Sequence, residues 1–263
     1  MEIKVTDYHQ NSGIYSFTIQ DKTINGITGI NQFDIEEIVL LKHKYKGLIA
    51  INNQELKKED INHYKQLISV IKEQIDKRYY SYKVYECMYE ELKRKKIDIK
   101  DPKKKIIDSL TAVDLDISYL NRNIRDLSSS EKKLIQLSLA FLSNPELIII
   151  EEFINKFDLK TEKYIMLLLE RLIENYGKTI IVISNNTDFL YQYTSHIIIT
   201  KNQEVLVEGK TPEVLQRVDF LKRNGIKIPE KVELTYIAKK EKQVKIDYHK
   251  DVRDMIKDIY KHV

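Results

Sequence analysis

Three clusters in this sequence have residue types and spacing suited to handling a phosphate or a divalent cation. Glu151 and Glu152 follow directly on the apolar run Leu147-Ile148-Ile149-Ile150. Two acids at the end of a buried strand can support a hydrated cation and orient a water for attack. Taken alone, they read as a solvated strand end. Gly26-Ile27-Thr28-Gly29-Ile30-Asn31-Gln32-Phe33-Asp34 places two glycines ahead of a helical pattern. A phosphate cradle there needs glycines for close backbone approach, a lysine for charge and a hydroxyl for the cation. Taken alone, this stretch reads as an ordinary turn. Ser128-Ser129-Ser130-Glu131 opens a third segment, and a serine with glutamate three residues on is the pattern of a capped helix start.

Alternating strands and helices must position these residues. Tyr15-Ser16-Phe17-Thr18-Ile19 alternates like a half-buried strand, and Thr23-Ile24-Asn25-Gly26 leads into a turn. Residues 84–96 read as a helix, and Pro102 suits the first turn of the next. The helix after Ser128 runs to Leu142, Pro145 follows it, and residues 147–150 form a buried strand. Residues 159–176 are helical with Gly177 as C-cap. Residues 179–184 form another buried strand, 187–193 a short helix, and 196–200 with 204–208 a closing hairpin. Beyond Gly209 the pattern is helical and more charged, with segments beginning at Pro229 and Asp251. Between Asn62 and Lys77 two readings stand: one long helix, or a break giving a short strand at residues 67–71. The alternation predicts an α/β fold with a largely parallel core sheet.

The chain has 263 residues, room for one large domain or one with a small appendage. With 42% hydrophobic and 32% charged residues it is too apolar for disorder and too charged for a membrane-embedded protein. No apolar run approaches the ~18–20 residues of a membrane span. Met1-Glu2-Ile3-Lys4-Val5 lacks a basic-then-apolar leader pattern. The single Cys87 cannot form an internal disulfide, which fits a reducing cytoplasm. A net charge of +4 with mixed signs gives no nucleic-acid footprint. The histidines show no metal-ligand spacing. Lys103-Lys104-Lys105 reads as a solvated helix face.

The order of these segments resembles the second half of an ATP-binding-cassette (ABC) ATPase. In that family a signature loop precedes a helix, a turn with proline, a Walker B strand ending in two acids, a D-loop and an H-loop. Here Ser128 to Glu131 stands for the signature, Asn144-Pro145 for the turn, Glu151-Glu152 for Walker B, Lys156-Phe157-Asp158 for the D-loop and Asn185 for the H-loop. The stretches Gly209 to Leu215 and Leu221 to Pro229 resemble the close of the core and the C-terminal extension of energy-coupling-factor (ECF) transporter ATPases, which power uptake of vitamins and metal ions. The resemblance implies a P-loop NTPase (RecA-like) core with an N-terminal β-subdomain, a helical subdomain at about 80–130, an ATPase-like domain over 1–218 and a helical extension over 219–263. It implies ATP and Mg²⁺ as ligands, a homologous ATPase subunit as hetero- or homodimer partner, and a transmembrane subunit that holds the chain at the inner face of the cell membrane. No nucleic-acid role is implied.

The resemblance also assigns roles by position. Residues 26–34 occupy the Walker A frame, where Gly26 and Gly29 fit. Asn31 replaces a glycine, Gln32 the lysine and Phe33 the hydroxyl, and Asp34 adds negative charge. Glu73, with Gln74 beside it, takes the Q-loop position. Ser129, Ser130 and Glu131 replace the signature's two glycines and glutamine. Glu151 stands at the Mg²⁺-supporting position, Glu152 at the catalytic base, and Asn185 replaces the γ-phosphate histidine. Tyr79, Tyr80, Tyr82 and Tyr85 read either as packing or as a surface bordering the groove for a membrane subunit. The reading is a degenerate cassette subunit with weak or absent hydrolysis. A functional ATPase tolerating the substitutions and a soluble regulatory scaffold are the alternatives.

Overall fold

The computed structural model describes residues 1–10, 12–44, 46–97, 100–152, 159–241 and 246–262. They divide into a central unit, Leu56–Ile180 with Met1, and a terminal unit, Glu2–Glu55 with Ile181–Val263.

The terminal unit opens with β1 (Ile3–Gln10), β2 (Gly13–Ile19), β3 (Ile24–Gly29), α1 (Gln32–Val39), β4 (Lys46–Ile51) and the short β5 (Gln54–Glu55). β1 pairs antiparallel with both β2 and β4. Buried and exposed residues alternate along β1 and β2, as in a sheet with one face to solvent. Tyr15, Phe17 and Ile19 form the buried face of β2. β3 runs three residues past the turn expected at Gly26. Gly26 lies inside the strand, level with Ile197, and a Cβ there would meet Leu190 and Thr194 at 3.1 Å. That glycine serves close packing rather than a turn.

The central unit contains α2 (Ile61–Gln66), β6 (Ile68–Ile71), α3 (Val84–Arg94), α4 (Pro102–Thr111), α5 (Ser129–Phe141), β7 (Leu147–Glu151) and α6 (Leu159–Tyr176), and reaches the start of β8 (Thr179–Ile183). Between Asn62 and Lys77 the short-strand reading holds. β6 pairs parallel with β7, Ile68 level with Leu147 and Ile71 with Ile150. Tertiary pairing overrides the local helix propensity there. Leu147 to Ile150 are fully buried, the continuous apolar run of a strand covered on both faces. Asp101 caps α4 through the Lys104 N–H, with Pro102 in its first turn. Tyr79 is buried and donates its hydroxyl to Glu91 at 2.7 Å, while Tyr80, Tyr82 and Tyr85 are half-buried. Of those four tyrosines, Tyr79 is a packing residue.

The terminal unit closes with α7 (Thr187–Tyr193), β9 (His196–Lys201), β10 (Glu204–Lys210), α8 (Thr211–Leu215), α9 (Val218–Asn224), α10 (Glu230–Glu241) and α11 (Val252–His262). β9 lies between β10, antiparallel, and β3, parallel. β10 runs to Lys210, two residues past the end its sequence pattern indicates, and the helical region begins at Thr211. Gly225 ends α9 in the left-handed conformation at φ 69°, with its N–H on the Lys222 carbonyl. No described helix is long and apolar enough to cross a membrane.

Candidate functional site

The residues singled out above fall into two groups, one in each unit. In the terminal unit, Ile27 and Thr28 are buried within β3. Gly29 has φ 109°, and a Cβ there would lie 2.2 Å from the Thr200 carbonyl oxygen. The approach of β9 therefore demands glycine without any ligand. The Thr200 hydroxyl donates to the Ile30 carbonyl at 2.8 Å and fixes the turn. Asn31 makes the bend in the left-handed region, at φ 67° and ψ 25°, and caps α1 without a side-chain hydrogen bond. It is one of the few residue types besides glycine that visit this region readily.

The first turn of α1 carries the chemistry that decides the site. Gln32 is only 3% exposed, so its side chain lies in the protein interior. Phe33 and Ile30 are exposed, at 43% and 56%. Asp34 accepts a hydrogen bond from the Tyr15 hydroxyl. Burial, reinforced by Asp34, pushes the Tyr15 hydroxyl pKa above its ordinary value, so Tyr15 stays a donor. A carboxylate thus occupies the helix N-terminus that would otherwise favour an anionic ligand. Lys42, beyond the end of α1, is engaged with Glu36 at 2.8 Å. These residues do not fit a triphosphate with Mg²⁺: the loop offers no lysine or hydroxyl at the required positions and adds a negative charge. Asn185 is exposed and follows Ser184, whose N–H donates to the Ile27 carbonyl at 3.0 Å. The structure therefore brings Asn185 and the 26–34 loop to neighbouring strand ends. Asn186, next in sequence, caps α7 through the Phe189 N–H at 3.0 Å.

In the central unit, β6–β7 pairing brings the Lys72–Glu73 loop and the Glu151 strand end together. Lys72 Nζ lies 3.7 Å from the Glu151 carboxylate at the end of β7. Glu152 has φ 45°, an uncommon backbone region for a glutamate. The Lys72 carbonyl accepts from Gln136 Nε2 at 3.0 Å, and the Glu73 carbonyl accepts from Lys133. Both backbone contacts tether the loop to α5. Glu73 is half-buried and Gln74 exposed. Asp158 and its neighbours Lys156 and Phe157 lie outside the described residues.

The Ser128 loop is a closed helix cap. Ser128 Oγ accepts from the Glu131 N–H at 3.2 Å, and the Ser128 N–H donates to Glu131 at 2.8 Å. Ser129 and Ser130 form the first turn of α5, exposed and half-buried. Glu131 also accepts from Tyr119 at 2.8 Å and from Arg122 at 2.5 Å. Burial raises the Glu131 pKa, but Arg122, the Ser128 N–H and Tyr119 outweigh it and hold it at about 2.

Tyr15, Lys72, Tyr119 and Arg122 are among the contacting residues not singled out from sequence. The inward phase of Tyr15 on an alternating strand was a usable signal. The other three have no local signature, because their contacts are made by chain folding across loops and turns.

Residues 35–155 match the family model described as ABC transporter. The match opens directly after Asp34. A protein of Pyrococcus abyssi described as an ABC transporter ATP-binding protein is 31% identical over 115 residues, 44% of this chain and 41% of that protein. The energy-coupling factor transporter ATP-binding protein EcfA2 of Mycoplasma mobile is 26% identical over 154 residues, 59% of this chain and 49% of that protein. The matched stretch is less than half the length of either relative. The structure of cbiO1 from Clostridium perfringens, described as part of the ABC transporter complex cbiONQ, is similar at TM-score 0.73 with 18% identity, covering 89% of this chain and 98% of that one. That likeness shows the ABC ATPase fold.

Proposed function

We propose that this chain, which matches the ABC transporter family model over residues 35–155, is the degenerate member of a cassette pair in an ECF-type transporter for vitamin or metal-ion uptake. It pairs with a more intact ATPase subunit, docks on a transmembrane partner at the inner membrane face, and binds and hydrolyses ATP weakly or not at all. In this reading residues 1–218 form the ATPase-like domain, with its helical subdomain at about 80–130, and 219–263 the helical extension.

One observation carries the proposal. The first turn of α1 buries Gln32, which this reading assigns to the family's lysine position, and holds Asp34 against the Tyr15 hydroxyl in the same turn. The start of the family match just beyond this loop supports the same reading. Support for assembly comes from exposed apolar residues on the last two helices, Leu234 and Ile237 on α10 and Ile256 and Tyr260 on α11.

Calorimetry of the full chain with Mg-ATP tests the proposal. Each missing charge-assisted phosphate contact weakens binding by about ten- to a hundredfold, so no low-micromolar binding is expected. Low-micromolar affinity, or turnover that Glu152→Gln abolishes, overturns the degenerate reading.

A further inference from the structure

In the central unit the C-terminal parts of α4, α5 and α6 line a cavity of about 190 Å³. It holds none of the residues placed above in a nucleotide-handling position. From α4 come Lys105, Asp108 and Ser109, which a spacing of three and four residues sets on one helix face. The solvated-face reading of the three consecutive lysines holds for Lys103 and Lys104, which are exposed, whereas Lys105 is half-buried and lines the cavity. Phe141 at the end of α5 and the buried Leu172 of α6 give it apolar walls.

Lys178 is the innermost charge. It is only 9% exposed, and its ammonium donates to the neutral Asn144 Oδ1 at 2.8 Å. An ammonium has further donors beyond that one bond. Burial pulls the Lys178 pKa below the ordinary lysine value, with Lys105 reinforcing the shift and Glu146 opposing it. The cavity is not a plain anion site, because the Asp108 carboxylate lines it beside the two lysines. Both signs of charge and an apolar wall therefore surround one small space.

We propose that this cavity binds a free amino acid with an aliphatic side chain. The ligand carboxylate meets Lys178 and Lys105, its ammonium meets Asp108, and its hydrocarbon body lies against Phe141 and Leu172. A few convergent polar groups on an apolar wall are the usual make-up of a small-molecule site. A phosphate or a dicarboxylate fits less well. Its second negative charge would face Asp108, and oxygens against the apolar wall would lose their hydration without a partner. An apolar cavity of about 150 Å³ holds a benzene ring, so this one suits a ligand of about eight or nine non-hydrogen atoms, the size of leucine.

Calorimetry of the full chain tests this with L-leucine, with isocaproate, which lacks the ammonium, and with L-leucinamide, which lacks the carboxylate. Leucine is expected to bind saturably, isocaproate more weakly, and leucinamide at least about tenfold more weakly. Lys178→Met should lower leucine affinity at least about tenfold. Because Lys178 also holds Asn144, Asp108→Asn, at an exposed position, is the second variant and decides alone if Lys178→Met does not fold. It should weaken leucine binding and leave isocaproate binding unchanged, a difference that general loss of structure would not produce. Absence of saturable leucine binding, leucinamide or isocaproate binding as tightly as leucine, or leucine affinity unchanged in either folded variant overturns the proposal.

Discussion

Glu131 shows how one side chain can close a helix cap and hold two neighbouring side chains at once. Its carboxylate closes the α5 cap and joins Arg122 and Tyr119. All of these contacts favour the ionised form, and they outweigh the opposing effect of burial. A depressed carboxyl pKa stabilises the fold above the unfolded value, and that contribution is lost as pH falls through the folded value. The window runs from the ordinary glutamate value of 4.5 down to about 2. Glu131→Ala is expected to cost roughly 1 kcal/mol at neutral pH, the combined worth of a cap and an exposed ion pair. The difference from wild type should shrink as pH falls across that window, as measured by urea unfolding at stepped pH. Asp34 makes the complementary point in the terminal unit: an acid in the first turn favours its helix while opposing an anionic ligand.

At the scale of elements, the strands carry the fold. Ile149 is fully buried at the middle of β7, opposite Val70 of β6. Ile149→Ala should cost about 2–5 kcal/mol through lost burial and a residual cavity, whereas Ile14→Ala, at a position 52% exposed, should stay within about 0.5 kcal/mol. Chemical denaturation of the two variants checks the contrast. The same burial explains what was legible in the sequence. Apolar runs at residues 147–150 and 179–183 had to be buried strands, and Ser128 with Glu131 announced the start of α5 because a cap is a local contact. The end of β3 was not legible. Gly26 and Gly29 resemble turn and phosphate-loop glycines, yet their role is set by Leu190, Thr194 and Thr200, distant in sequence. β6 stayed ambiguous for the same reason, since its partner lies more than seventy residues along the chain. In residues 26–34 the missing lysine and the added acid were plain from sequence, but the burial of Gln32 and the Tyr15–Asp34 contact required the folded chain.

At the scale of the whole molecule, the proposed role rests on association rather than chemistry. The final helices have two faces. Val232 and Thr235 of α10 and Met255 of α11 are buried, while Leu234, Ile237, Ile256 and Tyr260 are exposed. Leu234 and Ile237 are three residues apart on α10, and Ile256 and Tyr260 four apart on α11, so each pair shares a helix face. Truncation after Asp219 is a poor test of what these faces do. It would also remove Leu221, Ile226, Ile228 and Val232, all buried, and would expose the interior of the terminal unit. Charged substitutions on the exposed faces avoid that cost, because solvent-exposed sites seldom change stability by more than about 0.5 kcal/mol. Leu234→Glu combined with Tyr260→Glu should therefore leave the melting temperature nearly unchanged. If the extension joins this chain to a second cassette, the double variant should lose co-purification with that cassette while remaining folded. Retention of the partner at wild-type yield would show that the last two helices do not make the joint, and failure of the unmodified chain to retain any cassette or membrane subunit would remove the assembly role itself.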